Sequence, residues 1–158
     1  MNIFVIEDSE LIRRRLIPRL ESIPGVNVLG FADDARVAAN TAAAYSPDVV
    51  LLDLQLINGN GLIVLLEIKR LNPTPIVIVL SGVMDPSIQA LCRAKGADYV
   101  LDKSYEIGLI EPLLKDLLAT WISIQKPAAR ELSVVRPLPP PVPWPSRREN
   151  PLLQEENL

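Results

Sequence analysis

Histidine is absent from the 158-residue chain, so any chemistry that needs an imidazole must borrow it from another molecule. Cysteine is nearly absent. The single Cys92 cannot close an internal disulfide, which fits a reducing cytosol, and a cytoplasmic location is expected. Basic excess is missing too: 16 Lys and Arg stand against 19 Asp and Glu, a net charge of −3 that offers no positive field to a nucleic-acid backbone. No apolar run approaches the roughly 18 residues that mark a membrane span. The first residues lead directly into a strand and two acids, so neither a transmembrane helix nor a signal peptide is expected.

What the chain has in quantity is apolar residues, 49% of the total, enough for a core without disulfide or metal staples. Up to about residue 122 these fall into short runs separated by segments of helical period. Ile3 to Ile6, Val26 to Phe31, Val49 to Leu52, Ile76 to Leu80 and Tyr99 to Leu101 read as strands. Helices are expected at about 9–22, 34–45, 61–71 and 86–95, with a last one ending near Trp121. The run Ile76 to Leu80 is apolar throughout, as in a strand covered on both faces. Strict alternation of strand and helix argues for right-handed crossovers and a doubly wound parallel sheet with helices on both faces. Asp33 or Asp34 can cap the second helix. Pro18 should kink the first, and Pro112 is tolerable only if the last helix starts a residue or two before it.

From residue 123 to 158 the composition changes. Eight of the fifteen prolines lie between Pro127 and Pro151, including "RPLPPPVPWP" from Arg136 to Pro145, whose natural state is polyproline II. This segment reads as an extension, either solvated or a docking strip for a partner, and not as a second domain. No helix-turn-helix or catalytic output module is recognisable in it.

In open parallel sheets the site lies beyond the carboxyl ends of the strands. Here those ends carry Glu7-Asp8, Asp53, Ser81-Gly82 and Asp102-Lys103. If strands one, three, four and five are neighbours, the three carboxylates of Glu7, Asp8 and Asp53, the Ser81 hydroxyl and the Lys103 ammonium converge on one edge. Any single polar residue at a strand end is ordinary, and an Asn-Gly-rich loop is usually only a turn. The ordered set is not ordinary. Packed carboxylates repel unless a cation joins them, and hard oxygens in this number suit Mg²⁺. With Lys103 beside them, such a site is poised for a phosphoryl group.

The strings "IEDSE", "LLDLQLINGNGL", "VLSG" and "GADYVLDKS" resemble, in this order, the response-regulator receiver domain, the CheY-like superfamily of the flavodoxin-like class. The resemblance covers residues 1–122 and implies a five-stranded sheet of order 2-1-3-4-5. It implies that Asp53 is the phosphoacceptor, that Asp8, Asp53 and the backbone carbonyl of Gln55 hold Mg²⁺, and that Glu7 acts through metal-bound water. Ser81 and Lys103 would bind the phosphoryl oxygens. The donor would be a sensor histidine kinase or histidine phosphotransfer protein, which agrees with the missing histidine. A downstream protein would read the signal by protein–protein contact, without nucleic acid or membrane. The chain would then be a stand-alone phosphoprotein of a two-component phosphorelay that catalyses only its own phosphorylation and dephosphorylation.

Several positions depart from the family pattern. Val100 stands where an aromatic switch residue is usual and Tyr99 precedes it, on the opposite strand face; Tyr99 is either a switch in an altered register or, the preferred reading, a packing residue. Ser104 replaces the proline that usually follows the lysine, and Ile57 replaces another. Val83 offers no hydrogen bond beside the path of the hydrolytic water, so moderate to slow self-dephosphorylation is expected. On the last helix, Leu109, Ile110, Leu113, Leu114, Leu117, Leu118, Trp121 and Ile122 span more than a sheet-covering stripe needs. A homodimer through Leu114, Leu118 and Trp121 is one explanation, and a generous core face is the other. Two rival functions stay open: a receiver fold that docks partners without phosphorylation, and an aspartate-nucleophile phosphatase. The phosphatase lacks its usual second aspartate, since Gln55 occupies that place. A nucleotide-binding reading is weaker, because "NGNGL" lacks the rest of a phosphate cradle.

Overall fold

Five parallel strands, β1 (Asn2–Ile6), β2 (Asn27–Ala32), β3 (Val49–Asp53), β4 (Ile76–Ser81) and β5 (Tyr99–Asp102), form one sheet of order β2-β1-β3-β4-β5 in a computed structural model that describes residues 1–82, 85–103 and 107–125. The helices are α1 (Glu10–Glu21), α2 (Ala35–Tyr45), α3 (Gly61–Ile68), α4 (Pro86–Ala94) and α5 (Ile110–Gln125), the last preceded by a single 3₁₀ turn. This is the doubly wound parallel sheet expected from the β-α alternation, in the flavodoxin-like order that the family resemblance implies.

Strand pleat divides the core in two. Phe4, Ile6, Val50, Leu52, Val77 and Val79 face Ala38 and Ala42 of α2, Val64, Leu65 and Ile68 of α3, and Cys92 of α4. The alternate residues Ile3, Val5, Val49, Leu51, Ile78 and Leu80 face Leu16 and Leu20 of α1 and Ile110 and Leu114 of α5. Because side chains alternate with period two, the residues just past Ile6 and Leu52 fall on the α1/α5 side. Glu7 and Asp53 are those residues, and Lys103, two beyond Leu101, shares their side.

Local signals set the helix ends. Ser9, Asp34, Asn60 and Asp85 each cap the helix that follows by accepting a hydrogen bond from its first turn. α1 runs from Glu10 to Glu21 as one helix with Pro18 inside it. Pro18 and Arg14, the residue whose carbonyl loses its partner, both face solvent, where water can serve instead. Pro112 falls in the first turn of α5, where its missing N–H costs nothing. α3 ends at Ile68, three residues short of the expected 71. Lys69 leaves the helix to bond the Pro75 carbonyl at 3.2 Å and the Asp98 carboxylate at 2.9 Å.

α5 continues past Trp121 to Gln125, so the expected domain boundary at residue 122 falls inside a helix. The proline-rich extension that was expected beyond it lies outside the described residues. Of the interface candidates on α5, Leu114 is fully buried in the core over α1, so it is a core residue and not a surface for a partner. Leu118 is half-buried against Gly25, where an added Cβ would stand 2.9 Å from its Cδ2. Trp121 is half-buried, while Leu109 and Ile122 are exposed. Much of the broad apolar stripe is therefore spent on the chain's own core, with Leu113 and Leu117 packed at its margin. Among the described residues no helix is long and apolar enough to cross a membrane.

The α2 cap yields a pH prediction. Asp34 Oδ1 accepts from Arg36 N at 2.8 Å, and its carboxylate also takes the Arg36 guanidinium and, at 3.3 Å, the Asn58 amide. The Arg36 side chain chiefly, with these other donors, holds the Asp34 carboxyl at about 2, below its ordinary 3.8. A depressed carboxyl contributes stability that is complete above 3.8 and is lost as pH falls through about 2. Asp34→Asn keeps a good cap and loses only an exposed ion pair, so it is expected to cost no more than about 1 kcal/mol at neutral pH. Denaturant midpoints measured across the acid range should show the two proteins converging as pH falls; a gap that widens on acidification would contradict the assignment.

Candidate phosphoacceptor and metal site

The carboxyl edge of β1, β3 and β5 gathers the charges. Glu7, Asp8 and Asp53 place carboxylate oxygens within 4.8 Å of one another. Lys103 Nζ donates to Glu7 Oε2 at 2.6 Å and to Asp53 Oδ2 at 2.7 Å. Asp53 is buried at the end of β3 with 4% of its surface exposed, and its other oxygen accepts from Gln55 N at 3.0 Å. Each carboxylate oxygen is thus held by its own donor. A strand flanked on both edges gives that anchoring, since β3 pairs with β1 and with β4 through Asp53 itself, opposite Leu80.

Gly61 explains the glycine that closes the loop after Asp53. An added Cβ there would lie 2.5 Å from Leu54 Cα and 2.6 Å from the Asp53 carbonyl oxygen. Any side chain would push on the backbone that carries Asp53, so the start of α3 can approach β3 only with glycine in place.

Glu7 is almost fully buried. Burial raises its carboxyl above the ordinary range, while the Lys103 ammonium and Ser9 N, 3.1 Å from Oε1, pull it back. Asp8 is half-buried and accepts at Oδ2 from Ile57 N at 2.6 Å. Ser81 is buried at the end of β4, and its carbonyl accepts from Lys103 N at 2.9 Å, which ties the β4 and β5 ends together. Gln55 is exposed, with its side-chain Oε1 near Gly82: a Cβ there would stand 3.3 Å away.

These donors fit a small hard cation. Three carboxylates against one ammonium leave a formal charge of −2, which a divalent ion would balance. Hard carboxylate oxygens gathered within 4.8 Å of one another are the kind of ligand Mg²⁺ takes.

The sequence reading of Glu7, Asp8, Asp53 and Lys103 as one cluster matches the geometry, and Ser81 lies at the neighbouring strand end. Tyr99 needs correction. Packing is the preferred expectation over an altered-register switch, but Tyr99 is 36% exposed on the outer strand and belongs to neither core, whereas Val100 packs against the α2–α4 side. The one-residue offset sends the two side chains to opposite faces. The Val83 and Ser104 expectations lie outside the described residues. Arg13 and the Ile57 amide were missed. Ile57 N acts through its backbone, which no side-chain pattern reveals, and Arg13 reads in sequence as one more solvated helical charge.

Comparison with known proteins agrees with this geometry. Residues 3–115 match the family model described as the response regulator receiver domain. The chain is 30% identical over 144 residues to protein-glutamate methylesterase/protein-glutamine glutaminase 4 of Anaeromyxobacter dehalogenans, covering 89% of this chain and 39% of that protein. The chain therefore spans about four-tenths of the length of that curated relative. Among solved structures, the receiver domain of a DNA-binding response regulator (merR) from Colwellia psychrerythraea superposes with a TM-score of 0.69 at 27% identity, covering 75% of this chain and 98% of that one. The response regulator domain of Thermotoga maritima CheB gives a TM-score of 0.67 at 25% identity, with coverage of 78% and 96%.

Proposed function

The chain belongs to the response regulator receiver domain family of two-component signalling, and from that premise we propose that Asp53 accepts a phosphoryl group from a phosphohistidine on a partner kinase or phosphotransfer protein. The observation that carries this reading is the setting of Asp53: buried, held at both oxygens by Gln55 N and Lys103 Nζ, and flanked by the carboxylates of Glu7 and Asp8.

An Asp53 carboxylate oxygen attacks phosphorus and forms the new O–P bond. The donor's P–N bond breaks, and its electron pair returns to the partner's imidazole, whose other nitrogen carries the proton. Mg²⁺, held by Asp8, Asp53 and the Gln55 carbonyl with Glu7 reached through water, would supply charge neutralisation at the phosphoryl oxygens. Lys103 exchanges one carboxylate partner for a phosphoryl oxygen, a charge-assisted bond that keeps its ammonium paired. Ser81 offers its hydroxyl to another of these oxygens. The acyl phosphate, at about −1.5 to −2, replaces a carboxylate of −1 and so adds up to about one negative charge beside β4 and β5, which biases the fold between two conformations that a downstream protein distinguishes.

Phosphatase turnover on a separate substrate is disfavoured by the exposed amide Gln55 where a general acid would stand. The methylesterase and glutaminase activities belong to a relative more than twice as long, and are not assigned to these residues.

Intact-mass spectrometry after incubation with acetyl phosphate tests the proposal. A single labile phosphoryl adduct should form with Mg²⁺, and none should form when Mg²⁺ is removed by chelation. A folded, Mg²⁺-binding protein that takes up no phosphoryl group would favour a receiver fold that docks partners unphosphorylated.

A further inference from the structure

Arg13 lies in the second turn of α1, its backbone N bonded to the carbonyl of the cap residue Ser9 at 3.0 Å. Its side chain does not run out to solvent; only 11% of it is exposed. Nη1 donates to two carbonyl oxygens at once, Glu7 at 2.7 Å and Asp8 at 2.8 Å. The guanidinium lies over the Phe31 ring at 4.5 Å from its centroid, and Nη2 stands 3.9 Å from Asp33 Oδ2. Ring, carboxylate and two carbonyls therefore fix one planar cation from three directions, an arrangement a lysine ammonium cannot reproduce.

The consequence falls on Asp8. Its Cα sits between the Glu7–Asp8 and Asp8–Ser9 peptides, and Arg13 holds the carbonyl of each. With both peptide planes held, the direction in which the Asp8 side chain leaves the backbone is held too. Glu7 has independent restraints, since its N–H bonds Ala32 O at 3.0 Å and its carboxylate bonds Lys103 and Ser9. Asp8 is less buried and receives Ile57 N at one oxygen. We propose that Arg13 is a positioning residue that aims the Asp8 carboxylate at the cation site from behind, without touching the cation or the phosphoryl group. The inference rests on the reading of Glu7, Asp8 and Asp53 as a Mg²⁺-dependent site.

Groups that orient metal ligands usually cost about 10- to 100-fold in metal affinity when removed. Calorimetric Mg²⁺ titration of wild type, Arg13→Met and Arg13→Lys, each well below its unfolding temperature, should show Kd raised by about that factor in Arg13→Met and by less in Arg13→Lys. The rate of phosphoryl uptake should show the split of a positioning role: the Mg²⁺ concentration for half-maximal rate rises, while the rate at saturating Mg²⁺ stays within about threefold of wild type. Leu20→Ala, a core truncation remote from the acids, should lower stability without moving Mg²⁺ affinity, which separates positioning from general loosening. Phe31→Leu keeps the donors and removes the stack, so it should weaken Mg²⁺ binding even if Arg13→Met fails to fold. A folded Arg13→Lys or Phe31→Leu protein with wild-type Mg²⁺ affinity overturns the assignment. Wild type that binds no Mg²⁺ overturns the reading of the site, and Arg13's role with it.

Discussion

Lys103→Met should take up phosphoryl groups about 10²- to 10³-fold more slowly than wild type at saturating Mg²⁺, the usual scale for losing a fixed charge at a developing anion. The same substitution should lower stability in metal-free buffer by roughly 3 kcal/mol, because it removes one partner from a buried pair. The physical reason is the count of charges. Lys103 serves Glu7 at 2.6 Å and Asp53 at 2.7 Å, and all three side chains are at least 87% buried, with exposures of 13%, 2% and 4%. Without the ammonium, two enclosed carboxylates face each other beside Asp8. The structure can relieve this by holding a proton on Glu7, whose carboxyl burial already pushes upward, or by taking a divalent cation. Mg²⁺ should therefore stabilise the variant more than it stabilises wild type. Urea unfolding with and without Mg²⁺, together with uptake rates by intact mass, checks both halves. An uptake rate within tenfold of wild type would mean that Lys103 is a structural partner of the acids and takes no part in transfer.

The second large effect concerns α5. Leu114→Glu is expected to abolish cooperative folding. Leu114 is fully enclosed with Leu16 and Leu20 of α1, Ile23, and the sheet residues Ile3, Val5 and Ile78. Loss of its burial costs about 1.5–3 kcal/mol, and placing a carboxylate in that apolar space adds several more. A domain with about 5–15 kcal/mol in hand has little left. Circular dichroism and denaturant titration should show no cooperative transition, whereas Leu114→Ala should stay folded with a loss of about 2–5 kcal/mol. A folded Leu114→Glu protein with an altered oligomeric state would return Leu114 to the interface role first considered for it.

That reassignment shows where reading the chain reaches its limit. A helical wheel reports which residues of α5 share a face, but not how deeply α1 sits against it, so a wide apolar stripe looked like surplus. Strand positions were easier, since period two and apolar runs locate both the strands and their carboxyl ends. Glu7 and Asp53 could be placed together because each directly follows a core residue of the opposite face, and Lys103 joins them because it lies two beyond Leu101 of their own face. Tyr99 was harder, because strand phase gives a side chain's direction but not how far its surroundings cover it; on the outer strand β5 it stays 36% exposed. Arg13 was illegible for a different reason. Its partners are two backbone carbonyls five and six residues earlier, and only the sharp exit from β1 into α1 brings them back beneath its guanidinium. The early end of α3 likewise reflects Lys69 reaching the Pro75 carbonyl and Asp98, a contact across two connections that helical period does not contain.

The most direct test of Asp53 as phosphoacceptor is reductive trapping. The protein is incubated with acetyl phosphate and Mg²⁺, treated with borohydride, digested and sequenced by tandem mass spectrometry. An acyl phosphate on an aspartate is reduced to homoserine, so the expected result is homoserine at position 53 and at no other aspartate, with none formed in an Asp53→Asn chain or without Mg²⁺. Homoserine at another position, or a phosphoryl adduct that survives borohydride because it sits on a hydroxyl, would contradict the assignment of Asp53.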